Sequence, residues 1–152
     1  MSRAFVKEDD DAVEDMPERP VSAAPNLVTA EGLAAIEAEI AELNAELAEA
    51  GVDDRAARAR IGRDLRYWTA RRGSAQLTPP PEDNTIVRFG SVVTIDREDG
   101  RRQTFRIVGE DEADPERGTL SYVSPLARAL MGKAVGESVS VAGSDAEIAD
   151  IA

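Results

Sequence analysis

Chemistry in this chain has to come from carboxylates. Its 152 residues include no cysteine and no histidine, which removes thiolate nucleophiles, serine triads that need an imidazole base, disulfides, and zinc sites built on sulfur or imidazole. Two acidic constellations stand out. Asp53 and Asp54 are adjacent, follow Gly51-Val52 and precede a stretch rich in alanine and arginine; an acid there either caps a new helix or presents its oxygens at an exposed turn. Asp111, Glu112 and Asp114 lie close together, ahead of Ser124-Pro125. With 18 basic residues against 30 acidic ones the formal charge is −12, which opposes attraction to nucleic-acid phosphates and favours a basic protein surface as partner. Aromatic residues, at 4%, are too few for stacking platforms on single-stranded nucleic acid.

The elements that must position these acids can be read from periodicity. Residues 1–28 carry an acidic run, Glu8 to Asp11, and prolines at 17, 20 and 25, which predicts a disordered, mostly extended acidic tail. After Thr29, a plausible N-cap, apolar residues at Leu33, Ile36, Ile40, Leu43 and Leu47 fall at 3-4 spacing on one helix face. Gly51 and Val52 interrupt that helix, Asp53 is placed to cap the next, and a second helix with Ala57, Ile61, Leu65, Trp68 and Ala75 on its apolar side is expected to about Gln76. Together 29–77 reads as an antiparallel coiled-coil hairpin with Trp68 in its core. The first helix carries Glu31, Glu37, Glu39, Glu42, Glu46 and Glu49 and no basic residue, whereas the second carries Arg55, Arg58, Arg60, Arg63, Arg66, Arg71 and Arg72. These charges are expected to meet across the seam.

A proline-rich linker, 78–83, leads to a region of different character, 84–152. Strands are expected at Val87–Ile95, Gln103–Val108, Leu120–Val123 and Ser138–Val141, with a last one around Ile148 and Ile151. Glu98, Asp99 and Gly100 mark a hairpin turn, and Pro125–Met131 a short helix. No stretch approaches the roughly 20 apolar residues that cross a bilayer, and Asp9, Asp10 and Asp11 stand where a signal peptide needs an apolar run. A cytoplasmic location without membrane contact is the expectation.

Two separate motifs in this region, Ile107-Val-Gly-Glu-Asp-Glu-Ala-Asp114 and Ser124-Pro-Leu-Ala-Arg-Ala-Leu-Met-Gly-Lys133, together with Val87-Arg-Phe-Gly-Ser-Val-Val-Thr-Ile95, closely resemble the C-terminal domain of the GreA/GreB transcript-cleavage factors. The opening Met1-Ser-Arg-Ala-Phe-Val-Lys7 is similar to some Gre-related proteins as well. The resemblance is strong over 84–141 and architectural over 29–77. It implies an α+β protein, an N-terminal helical hairpin followed by an FKBP-like antiparallel β domain with a short helix. It also implies bacterial RNA polymerase as partner: the β domain docks at the mouth of the secondary channel, and the hairpin passes toward the active centre. Asp111, Glu112, Asp114, Ser124 and Pro125 are then the candidate polymerase-binding residues, and any DNA or RNA contact falls within that complex.

In cleavage-active members two carboxylates at the hairpin tip help hold a polymerase-bound Mg²⁺, and hard oxygen ligands suit that ion. Here the tip offers Asp53 and Asp54, with Ala56 and Ala57 three residues further on, so the second carboxylate of the family motif is missing. Asp64 lies about 15 Å further along the helix at 1.5 Å per residue. Val123 replaces the acid that often precedes Ser-Pro in GreB-like sequences. The first helix, roughly 30 Å long, is shorter than a cleavage-active arm and is similar to the shortened hairpins of Rnk-like members. The expectation is therefore a regulator of elongation with no intrinsic cofactor and no enzyme activity of its own. Transcript cleavage through Asp53 or Asp54 is the alternative within the family. A peptidyl-prolyl isomerase, with Phe89, Phe105 and Tyr122 as its few aromatics, and a dimeric scaffold joined through the helices are alternatives of another class.

Overall fold

The computed structural model describes residues 16–152; the acidic run and the opening motif lie outside them. Two compact units divide the chain, one made of 35–74 with the residues up to 23, the other of 24–34 and 75–152.

The first unit is built on the helical hairpin. Helices α1 (Ala30–Glu49) and α2 (Arg55–Ser74) have 20 residues each. Ile36, Ile40 and Leu43 of α1 are buried, as is Ile61 of α2, so the 3-4 spacing marks the seam. Of the arginines, Arg60 reaches Glu46 across the hairpin. Others are engaged elsewhere: Arg66 takes Glu18 at 2.6 Å and Arg63 takes Asp64 at 3.3 Å, while Arg71 is buried. Trp68 is half-buried rather than core. Its ring meets Tyr67 edge-on at 5.0 Å, and the Arg19 guanidinium lies over both rings, 4.0 Å from Tyr67 and 5.5 Å from Trp68. A planar cation over aromatic faces shields them as a core would.

In the second unit, β1 (Leu27–Val28) pairs in parallel with β2 (Gln76–Leu77). The expected extended tail thus gives way to structure at Leu27, and the second helix ends at Ser74 because Gln76 donates its N–H to Asn26. The main sheet has five strands: β3 (Val92–Arg97), β4 (Arg102–Val108), β5 (Thr119–Ser121), β6 (Ser138–Val141) and β7 (Ser144–Ile151), in the order β5-β4-β3-β7-β6. A short helix, α3 (Pro125–Leu130), contributes Ala127 and Leu130 to the core with Val93, Ile95, Ile107 and Ile148.

The architecture is α+β, a helical hairpin and a β domain, as the sequence predicts, but the sheet is mixed. Strand β5 runs parallel to β4, while β3-β4, β3-β7 and β6-β7 are antiparallel. The loop from Gly109 to Gly118, with a 3-10 turn at Pro115–Arg117, carries the chain back to start β5 in β4's direction, the crossover that a parallel pair needs. Strand β3 starts five residues later than Val87. Residues 87–91 form a hook in which Ser91 Oγ accepts the Arg88 N–H at 2.9 Å, and Gly90 has φ +87° against Pro80. In β7 the buried residues are Ala146, Ile148 and Ile151. The register slips between Ile95↔Ile148 and Thr94↔Asp150, so Ala149 is the extra residue of a bulge that returns Ile151 to the core face.

Candidate functional site

At the hairpin tip, Val52 is 88% exposed and Asp53 and Asp54 are exposed beside it. The cap of α2 is Asp54, one residue later than expected. Its Oδ1 accepts the Ala57 N–H at 3.2 Å, while the Asp54 N–H closes the turn onto Gly51 O at 3.0 Å. One of the two candidate acids is therefore occupied by the helix it starts. Asp64 is surrounded by Arg63 at 3.3 Å, Arg19 at 3.4 Å and Arg60 at 3.9 Å, a neutralised cluster rather than a tip acid. Among the described residues no group of three or more acids is placed to hold a metal ion.

The parallel pairing of β4 and β5 assembles the second constellation. Val108 and Ser121 are register partners at the strand ends, and Tyr122 donates its N–H to Val108 O at 3.0 Å. The loop that opens with Gly109–Glu112 and the loop with Ser124-Pro125 consequently leave the strands at the same end of the sheet, whereas Asp114 is carried to the start of β5, where its N–H donates to Thr119 Oγ1 at 2.7 Å and its carbonyl accepts the Thr119 N–H at 3.1 Å. An antiparallel pair would have sent the two loops to opposite ends. Ser124 caps α3, its Oγ accepting the Ala127 N–H at 3.3 Å, with Pro125 exposed in the first turn. Below them Phe89 and Tyr122 pack edge to face, ring centroids 5.6 Å apart. Asp114 is half-exposed, with Arg117 at 3.5 Å.

Glu112 has a different task. One carboxylate oxygen accepts the Thr29 N–H at 3.0 Å and the Gly109 N–H at 3.2 Å, and the other accepts the Thr29 hydroxyl. Thr29 Oγ1 in turn accepts the Gly32 N–H at 3.0 Å. This is a capping box completed from a distance. An ordinary box places Glu three residues after the capping Thr, where this chain has Gly32, and the missing carboxylate arrives from residue 112. Gly32 leaves the room: a Cβ there would lie 2.5 Å from Glu112 Cδ and closer still to Oε2. A Cβ at Gly109 would lie 2.6 Å from Leu27 O. Sequence reasoning singled out Thr29 as a cap but not its partner; a capping threonine followed by glycine at the third helical position was the available signal. Beside it the Glu31 carboxyl is held below the usual carboxylate range, chiefly by its own backbone N–H, with Arg106 at 3.8 Å adding.

The family described as "Transcription elongation factor, GreA/GreB, C-term" matches residues 82–151. Transcription elongation factor GreA of Paracoccus denitrificans is 48% identical over 68 residues, covering 44% of this chain and 44% of that protein. GreA of Hyphomonas neptunium is 56% identical over 59 residues, 37% of this chain and 36% of its own length. By this match residues 82–151 belong to the GreA/GreB C-terminal domain family. The chain matches less than half the length of these GreA relatives, and the matched stretch contains β3 to β7, α3 and both loops but not the hairpin. Among solved structures, the chain is similar to the GreA factor homolog 1 (Gfh1) protein of Thermus thermophilus (21% identity, 85% of this chain and 99% of that one, TM-score 0.42). It is also similar to the prokaryotic transcription elongation factor GreA/GreB from Nitrosomonas europaea (19%, 83% and 98%, TM-score 0.41).

Proposed function

We propose that this protein is a transcription factor that binds bacterial RNA polymerase at the secondary channel through its β domain and modulates elongation without full transcript-cleavage activity. The observation that carries the docking half is the match of residues 82–151 to the GreA/GreB C-terminal domain. Asp111, in the loop that leaves β4 at the same end of the sheet as Ser124 and Pro125, and Asp114, at the start of β5, are partly exposed acids suited to a basic partner. Glu112 acts as a positioning residue, because its carboxylate is taken up by Thr29 and Gly109.

The non-cleaving half rests on the tip. A clamp on a second Mg²⁺ needs oxygen ligands free to turn toward the ion, and here Asp54 caps α2 while Asp64 is held by arginines. Cleavage stimulation through Asp53 is the second reading, favoured by that residue's exposure at the tip. Neither reading makes the chain an enzyme by itself; catalysis would belong to the polymerase.

The test is RNA 3′-end cleavage in a backtracked elongation complex with Mg²⁺, first with this protein alone and then in competition with an active Gre factor. Absence of cleavage together with loss of the competitor's activity is the expected result. Cleavage by the protein alone would replace this reading with the second one, and no effect of either kind would remove the polymerase assignment.

A further inference from the structure

Strand β2 has an edge that no other strand among the described residues covers. Its ladder to β1 uses Gln76, which donates its N–H to Asn26 O at 2.8 Å, and Thr78, which donates to Val28 O at 2.9 Å. Pairing alternates along a strand, so the N–H and C=O of Leu77 face away from β1, on the outer side of a two-stranded sheet. The opposite edge is closed, because Leu27 O lies against Gly109. The Leu77 side chain is 58% exposed. It lines a groove of about 310 Å³ together with Ala30, Pro79, Pro80 and the Arg106–Glu31 pair, all of them residues of the second unit. Pro80 packs so closely on Gly90 that a Cβ there would lie 3.2 Å from the proline Cα, which fixes that wall. Of the charged pair, Arg106 is the more sheltered, with 32% of its side chain exposed against 73% for Glu31. Glu82 is exposed just past the prolines.

We propose that β2 and this groove form a docking site for an extended segment of a protein partner, one that adds a strand beside Leu77 and places a single large apolar side chain, flanked by lysine or arginine, in the groove. Main-chain hydrogen bonds to the Leu77 N–H and C=O supply the pairing, and the groove selects the side chain. The register is fixed. Pro79 and Pro80 have no N–H to offer, so an added strand cannot slide along the edge past Thr78. The volume lies at the low end of the roughly 300–1,000 Å³ that pockets for small ligands occupy, room for one side chain and not for a helix face. Cations flanking that side chain meet Glu31 and Glu82, in keeping with the formal charge of −12. The site does not depend on polymerase being the partner.

The test is a titration of the full-length, nitrogen-15-labelled protein at low salt with the peptide acetyl-Lys-Thr-Leu-Thr-Lys-amide, followed through the amide signals. The Leu77 and Thr78 signals should shift and saturate at peptide concentrations on the order of millimolar, and exchange of the Leu77 amide with solvent should slow. Serine in place of the peptide's leucine should weaken binding about tenfold, as should N-methylation of its three central residues, which removes the strand pairing. Glutamate in place of both lysines should weaken it about fivefold. Leu77→Ser in the protein should cost about tenfold as well, with the other amide signals in place to show that the fold is kept. Leu77 and Thr78 signals that stay put at millimolar peptide would overturn the proposal, as would equal affinity for the N-methylated or the glutamate-flanked peptide. Shifts of the same signals on concentrating the protein alone would assign the edge to a second copy of the chain and overturn it too.

Discussion

Gly32→Ala offers a sharp test of the remote capping box, because the usual expectation has the opposite sign. Inside a helix, glycine costs about 1 kcal/mol relative to alanine, so the substitution would ordinarily stabilise. Here the added Cβ would stand 2.5 Å from Glu112 Cδ, and the carboxylate must swing away. It would then surrender hydrogen bonds from the Thr29 N–H, the Thr29 hydroxyl and the Gly109 N–H. Hydrogen bonds to a charged group contribute about 1.5–3 kcal/mol each. Taking two of the three as lost, and subtracting the alanine gain, the net cost is roughly 2–5 kcal/mol. Urea unfolding followed by circular dichroism would read this as a lower midpoint at unchanged slope. The decisive comparison is the double-mutant cycle with Glu112→Ala. Once the carboxylate is gone, Gly32→Ala should become neutral or stabilising by up to about 1 kcal/mol. A stabilised single variant, or the same cost in both backgrounds, would refute the reasoning.

Three further outcomes follow from the same geometry. Asp54→Ala should destabilise the hairpin by about 1 kcal/mol through loss of the cap on Ala57, while Asp53→Ala should leave thermal unfolding unchanged. Deleting Ala149 should leave denaturant unfolding within about 1 kcal/mol of the parent, because Ile148, Asp150 and Ile151 then alternate regularly and Ile151 keeps its place opposite Val93 on the core face. The Glu18 carboxyl is held below its ordinary value of 4.5, chiefly by its hydrogen bond with Arg66. The anchoring it provides is therefore complete above that ordinary value and is lost as pH falls through the lowered one. Tryptophan fluorescence should report Trp68 leaving Arg19 in that acidic window, and Glu18→Gln should show the change already at pH 7.

Asp111, Glu112 and Asp114 look equivalent in the sequence, but the fold gives them unequal work. Glu112 ties the first turn of α1 to the β4–β5 loop, and Asp114 stands half-exposed beside Arg117. Neutralising Asp114 should therefore weaken partner binding with the fold intact, whereas loss of Glu112 acts through the scaffold.

Local pattern was enough to announce much of this protein. The absence of cysteine and histidine limited its chemistry to carboxylates, the 3-4 spacing from Ile36 to Leu43 marked the buried stripe of α1, and two short motifs marked the β domain. Each of these depends on neighbours within one or two turns or a single strand. What only the tertiary structure decided were the long-range partners: β5 lying parallel to β4 so that two loops begin at the same end of the sheet, Glu112 completing the cap of a helix that starts at Ala30, Arg19 over Tyr67 and Trp68, and the bulge at Ala149. Periodicity states which face of an element is apolar, but it does not say which strand, carboxylate or cation will meet the polar groups left over. Those choices are made by chain geometry and by the requirement that every buried hydrogen-bonding group find a partner.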